Sequence, residues 1–163
     1  YDLTKYFPKC YEKDLRLFWK CGDIYDKLEP LPGAVDTIKW LHDEGAIIWF
    51  LTGSLSHEQH VNKFDFINKW CPFLEIKWGG EGCRYENELI RVERMHEKMN
   101  FEWDVLIDNR IDAFPPLKDS HQGYTILMDT PYDQKCTDWG RVDALVCGWN
   151  DAMRKHLGVV LEK

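Results

Sequence analysis

The sequence predicts an α/β fold of the doubly wound, Rossmann-like kind, and three observations carry that expectation. Two apolar runs, Ala46-Ile47-Ile48-Trp49-Phe50-Leu51 and Val105-Leu106-Ile107, are continuous rather than alternating, the pattern of strands covered on both faces of a parallel sheet. Segments of helical period alternate with such runs. Each run also ends in polar residues, Thr52-Gly53-Ser54 after the first and Asp108-Asn109-Arg110 after the second. Open sheets of this class bind ligands outside the carboxyl ends of their strands.

The elements follow in order. Residues 5–30 are mixed and aromatic; Tyr11 to Lys20 reads as a short helix with Leu15, Phe18 and Trp19 on one side. The stretch is too short for a core of its own and suits a small lid. Pro30-Leu31-Pro32-Gly33 breaks the chain, and Pro32 suits a first helical turn. Ala34, Ile38 and Leu41 recur at helical spacing, with Gly45 as a C-terminal stop. The run 46–51 follows as a strand buried on both faces. Leu55 to Trp70 reads as a second helix with Val61, Phe64, Ile67 and Trp70 inward, stopped by Cys71-Pro72.

Phe73 to Lys77 reads as a short strand and Trp78 to Tyr85 as a loop. Glu86 to Lys98 reads as a third helix, with Leu89, Val92 and Met95 inward. Strands are expected over Trp103 to Ile107 and Tyr124 to Met128, with a loop at Pro115-Pro116 between them. Asn150 caps a last helix through His156.

A chain of 163 residues, 44% hydrophobic and 14% aromatic, holds one globular domain with a real core. The net charge of −7 and pI near 5.3 argue against a duplex-DNA binder, which carries a basic stripe. They leave room for a small anionic substrate, since a metal ion and a few local cations suffice. The longest apolar run, about six residues, falls far short of a bilayer span. No signal segment opens the chain. The six cysteines lack CxxC spacing, which favours reduced thiols and a cytoplasmic setting.

The candidate chemistry lies at the strand exits. Asp108 is either a hard oxygen ligand for Mg²⁺ or the head of an Asp-Asn turn. Thr52, Gly53 and Ser54 offer hydroxyls and exposed backbone at a helix start, where phosphate binds; ordinary capping by Ser54 or Ser56 is the alternative. Lys98 either neutralises an anion or balances a helix end. Arg110 either meets substrate or pairs with Asp112. His57 and His60 read as surface residues. GxSxG, Walker and GxGxxG motifs are all absent from the sequence.

In this order the pieces resemble the haloacid dehalogenase superfamily of Mg²⁺-dependent phosphatases, and within it the 5′(3′)-deoxyribonucleotidases. Tyr1-Asp2-Leu3-Thr4 matches the end of the family's Asp-x-Asp signature, Phe50-Leu51-Thr52 its second, and Lys98, ten residues before Asp108, its third, with Lys77 as fallback. Ile107-Asp108-Asn109-Arg110 matches the fourth, with Asn109 where the family often has Asp. Leu31-Pro32-Gly33-Ala34 and Asp129-Thr130-Pro131-Tyr132 match flanking turns.

The resemblance implies a three-layer sandwich over 1–163, with a small helical cap inserted at 5–30 and shorter than the family's usual one. It puts a further N-terminal strand, ending in the nucleophilic Asp, immediately before Tyr1. It implies a phosphatase working through an aspartyl-phosphate, with a nucleotide-like substrate. Asp2 would be the acid and base; Thr52 and Lys98 would neutralise the phosphoryl oxygens. Asp2, Asp108 and Asn109 would hold Mg²⁺, and Gly53, Ser54 and Arg110 would help bind substrate. Cap aromatics such as Phe7, Phe18 or Trp19 would stack on a base. A small phosphorylated molecule is the expected partner, with neither membrane nor duplex nucleic acid, and a homodimer stays open. The alternatives are a catalytically inactive binding module and a phosphatase of a larger substrate such as a polynucleotide end.

Overall fold

A computed structural model describes residues 13, 14, 17, 22–54, 56–79, 86–114, 123–129 and 142–161. It shows an α/β fold with small parallel sheets flanked by helices, the Rossmann-like arrangement that the sequence predicts. The described strands form two three-stranded sheets, ordered β1-β3-β2 and β4-β5-β6. They are β1 (Trp49–Gly53), β2 (Lys77–Gly79), β3 (Glu88–Val92), β4 (Val105–Asp108), β5 (Tyr124–Met128) and β6 (Ala144–Val146). The helices are α1 (Ala34–Asp43), α2 (His57–Trp70) and α3 (Asp151–Leu161). The chain divides into two compact units, Tyr1–Glu29 with Ile48–Arg91, and Pro30–Ile47 with Val92–Lys163.

In the second unit, α1 starts behind Gly33, whose φ of 80° is left-handed; a Cβ there would run into the Trp149 carbonyl. The helix ends in a Schellman turn. The Gly45 N–H donates to the His42 carbonyl and the Ala46 N–H to Leu41, with Gly45 at φ 86°. The parallel ladder of β4, β5 and β6 pairs Val105 with Tyr124 and Ile126 with Ala144.

Alternation then separates two faces. Ile126, Met128, Ala144 and Val146 pack with Met153 and Leu157 of α3 and with Trp40 and Leu41 of α1. Leu106 and Leu127 point the other way, onto Phe114 and Val142. The β4 and β5 strands are therefore covered on both sides, as their continuous apolar runs require. Asn150 caps α3, its Oδ1 accepting from the N–H groups of Ala152 and Met153, and the helix runs past His156 to Leu161. Strand β6 is an element that the sequence reading does not contain; three residues are too few to show a period.

In the first unit several expectations are corrected. The stretch over Glu86 to Lys98 is not a helix: Glu88–Val92 is the central strand β3, followed by a 3₁₀ turn, Met95–Asn100, in the second unit. Leu89, Val92 and Met95 suit a helical stripe, but Leu89 and Ile90 are consecutive and both fully buried, as a strand covered on both faces demands. The strand expected at Phe73 to Lys77 begins at Lys77, after a 3₁₀ turn over Pro72–Leu74, so Trp78 and Gly79 lie in β2 rather than in a loop.

The run 46–51 is strand only from Trp49, and every residue of β1, an outer strand among the described ones, is half-buried. Asn87 fastens this unit: its side chain accepts from the Ile48 N–H at 2.8 Å and donates to the Leu74 carbonyl at 2.8 Å. Helix α2 starts at His57, capped by Ser56, and ends at Cys71 before Pro72. Its buried residues are Gln59 and His60; Val61, Phe64, Ile67 and Trp70 are only half-buried. Tyr25, on a 3₁₀ turn over Gly22–Lys27, meets Phe66 edge-on at 6.0 Å.

Of the helix expected over 11–20, the described residues Lys13, Asp14 and Leu17 are helical and exposed. The rest of it lies outside the described residues. So do the cap aromatics Phe7, Phe18 and Trp19, the Pro115-Pro116 loop and the Thr130-Pro131-Tyr132 turn.

Candidate functional site

The strand exits carry the candidate residues, and each is set by its own unit. At the exit of β4, Asp108 is the last residue of a strand covered on both faces, and the residue is 8% exposed. One oxygen, Oδ2, takes an ion pair from Lys98 Nζ, which the 3₁₀ turn over Met95–Asn100 presents. Both side chains are buried. The other oxygen, Oδ1, accepts the Arg110 N–H at 2.9 Å, closing the Asp-Asn turn. The two readings of Asp108 thus coexist geometrically: the residue heads a turn and also holds a buried lysine.

Lys98 is therefore not a solvated lysine at the end of an α-helix, as its sequence position also allows. The turn that carries it is itself tied down, with Glu97 Oε2 accepting from the Glu93 N–H at 2.8 Å. That bond holds the Glu97 carboxyl below its usual range. Arg110 lies against Asp112, its Nε 2.8 Å from Oδ1, and this hydrogen bond keeps the Asp112 carboxyl below its ordinary value. The pair is largely exposed, so it contributes little to stability.

At the exit of β1, in the first unit, Thr52 and Gly53 end the strand and Ser54 follows. Thr52 Oγ1 accepts from Lys63 Nζ at 2.8 Å, and Lys63 also donates to the Gly53 carbonyl. Ser54 Oγ lies 3.2 Å from His60 Nδ1. Capping falls to Ser56, whose Oγ accepts the Gln59 N–H, so Ser54 is not the cap. His60 is 4% exposed rather than a surface residue, whereas His57 is exposed. Burial, reinforced by the positive charges of Lys63, Arg91 and His57, holds the His60 ring below its usual pKa.

The sequence reading misses Lys63 and misplaces His60. The signal that could have found both is their spacing of three on a helix that begins just after Thr52-Gly53-Ser54. Lys77, the fallback lysine, is exposed on β2.

Chemically, the β4 exit offers hard oxygens: the Asp108 carboxylate with the Asn109 amide next to it. Each carboxylate oxygen has two acceptor positions, so the bonds to Lys98 and Arg110 leave one on each. That donor chemistry fits Mg²⁺. Among the described residues no three of His, Cys, Asp or Glu gather as a metal-binding group; Asp2 lies outside them. Among the same residues no helix is long and apolar enough to cross a membrane, and Cys71 and Cys147 are free thiols. No protein-family model matches the chain, and no curated protein matches it.

Proposed function

We propose that this protein is a Mg²⁺-dependent phosphomonoesterase of the haloacid dehalogenase superfamily, a cytoplasmic 5′-nucleotidase acting on (deoxy)nucleoside monophosphates. The observation that carries the reading is the buried Lys98–Asp108 pair at the exit of β4. An ammonium group buried beside a strand-end carboxylate sits in a low-dielectric setting, where electrostatic interactions with a phosphoryl group are strong. Its ten-residue separation from Asp108 is the spacing on which the resemblance rests.

In this reading a carboxylate just ahead of Tyr1 attacks phosphorus, the bond to the ester oxygen breaks, and Asp2 gives that oxygen its proton. Asp2 then takes a proton from the water that releases phosphate. Thr52 accepts from Lys63 and makes a long, 3.4 Å donation to the Gly53 carbonyl; with substrate bound, that hydroxyl would donate to a phosphoryl oxygen instead. By the resemblance, Lys98 would neutralise the charge that develops, and Gly53, Ser54 and Arg110 would be substrate-binding residues. Asp108, Asn109 and Asp2 would hold Mg²⁺, which when bound supplies positive charge beside the phosphoryl group.

A second reading, a binding module without turnover, draws on one observation: both Asp108 oxygens already hold protein partners. Phosphate release from a panel of deoxynucleoside monophosphates, a sugar phosphate and a 3′-phosphorylated oligonucleotide, with and without Mg²⁺, separates the two. Release that requires Mg²⁺ and is lost in Asp108→Ala is the expected result. No release from any of them overturns the enzyme.

A further inference from the structure

Trp78, on β2, leaves 48% of its surface exposed. It is the outer member of a stack. Phe64 lies beneath it at 4.7 Å and 14°, His57 at 6.2 Å and 25°, and His60 is tilted against it at 4.8 Å. His57, His60 and Phe64 follow one another along a single face of α2. His60 joins this stack to the β1 exit, since its Nδ1 meets Ser54 Oγ. Next to it, Lys63 donates to Thr52. One compact unit thus sets a flat aromatic surface one imidazole ring away from two hydroxyls and an ammonium group.

Lys63, Arg91 and His57 are positive neighbours of His60, which links the stack to the β1 exit. Glu88, the buried acid of the adjacent strand, registers with Lys77 and packs on Gly79. It therefore lies on the face of the sheet opposite Trp78.

We infer that Trp78, backed by Phe64 and His57, is the stacking surface for the base of a nucleoside monophosphate whose phosphoryl group sits at Thr52, Ser54 and Lys63. The choice of ligand rests on the phosphatase reading above. The base is thereby assigned to a strand-borne indole rather than to the cap aromatics Phe7, Phe18 and Trp19.

Titration without Mg²⁺ tests this, using a deoxynucleoside monophosphate and, separately, inorganic phosphate. Trp78→Ala weakens the monophosphate about tenfold, the usual scale of losing one base–aromatic stack, and leaves phosphate affinity unchanged. Trp78→Phe, which keeps a ring, stays close to the unaltered protein. Lys63→Gln weakens both ligands alike. The inference is overturned if Trp78→Ala binds the monophosphate as the unaltered protein does, if it loses phosphate equally, or if the unaltered protein binds no monophosphate. Binding is read without turnover. A Trp78 effect without any phosphate release would therefore sink the phosphatase and keep the stacking site, and release with no Trp78 effect would do the reverse.

Discussion

The two sheets reach burial by different routes. In β4-β5-β6 the apolar runs are themselves the strands: Ile126 and Leu127 are adjacent, point to opposite faces and are 0% and 1% exposed. In β1-β3-β2 the most apolar run supplies an outer strand and stays half-buried. The central place goes to Glu88-Leu89-Ile90-Arg91-Val92, which carries two charges. Composition alone thus does not decide how far a strand is buried.

The same contrast runs through the strand exits. The β4 exit is closed by a buried ion pair between Lys98 and Asp108, and at the β1 exit the partners of the half-buried Lys63 include the Thr52 hydroxyl and the Gly53 carbonyl.

The largest effect should separate those two exits. Removing one partner of a buried pair leaves the other charge desolvated and alone, so Asp108→Ala is expected to cost about 3–5 kcal/mol of stability. Thr52→Val, which removes a neutral acceptor, should cost about 1 kcal/mol. Urea midpoints for both, together with the double change Lys98→Met and Asp108→Leu, check this. The double variant should regain most of the loss, and equal costs for Asp108→Ala and Thr52→Val would erase the distinction between the exits.

The caps offer a comparison in which the two units should agree. Ser56→Ala in the first and Asn150→Ala in the second each remove a side-chain acceptor at a helix start. Each should therefore cost about 1 kcal/mol, measured in the same way. A cost several times larger in one unit would mean that its cap also supports packing.

The finest test concerns His60. Its folded-state pKa lies below the unfolded value of 6.5, because burial and then Lys63, Arg91 and His57 oppose its proton. The unfolded chain therefore binds this proton first as pH falls. The stabilising effect of a neutral His60 is complete above about pH 6.5, declines below it, and levels off once the folded protein also takes up the proton. Melting followed from pH 8 to 5 should show a slope that shrinks in His60→Asn. An unchanged slope would mean that other groups carry it.

How much of this was legible beforehand depends on the residue. Tyr124–Met128, Gly45 as a stop and Asn150 as a cap could be read directly, because each acts through its immediate neighbours in sequence. Helix α2 was legible in extent but not in its buried face, since Gln59 and His60 turn inward through contacts that lie outside the helix. Strand β3 was misread because spacings of three suit a helix, and five residues are too few to contradict them. Lys98 and Asp108 stood out as candidates, but their mutual burial did not, because a turn between two elements brings them together. Lys63 left no mark beyond its spacing from His60.

Local chemistry thus decided the α/β class, the helix ends and the polar character of the strand exits, since those depend on backbone preference and short-range periodicity. Tertiary structure alone decided which strand became central, which histidine was buried, and which carboxylate Lys98 met. Those outcomes follow from sheet order and from contacts between residues far apart in the chain, and no local pattern encodes them.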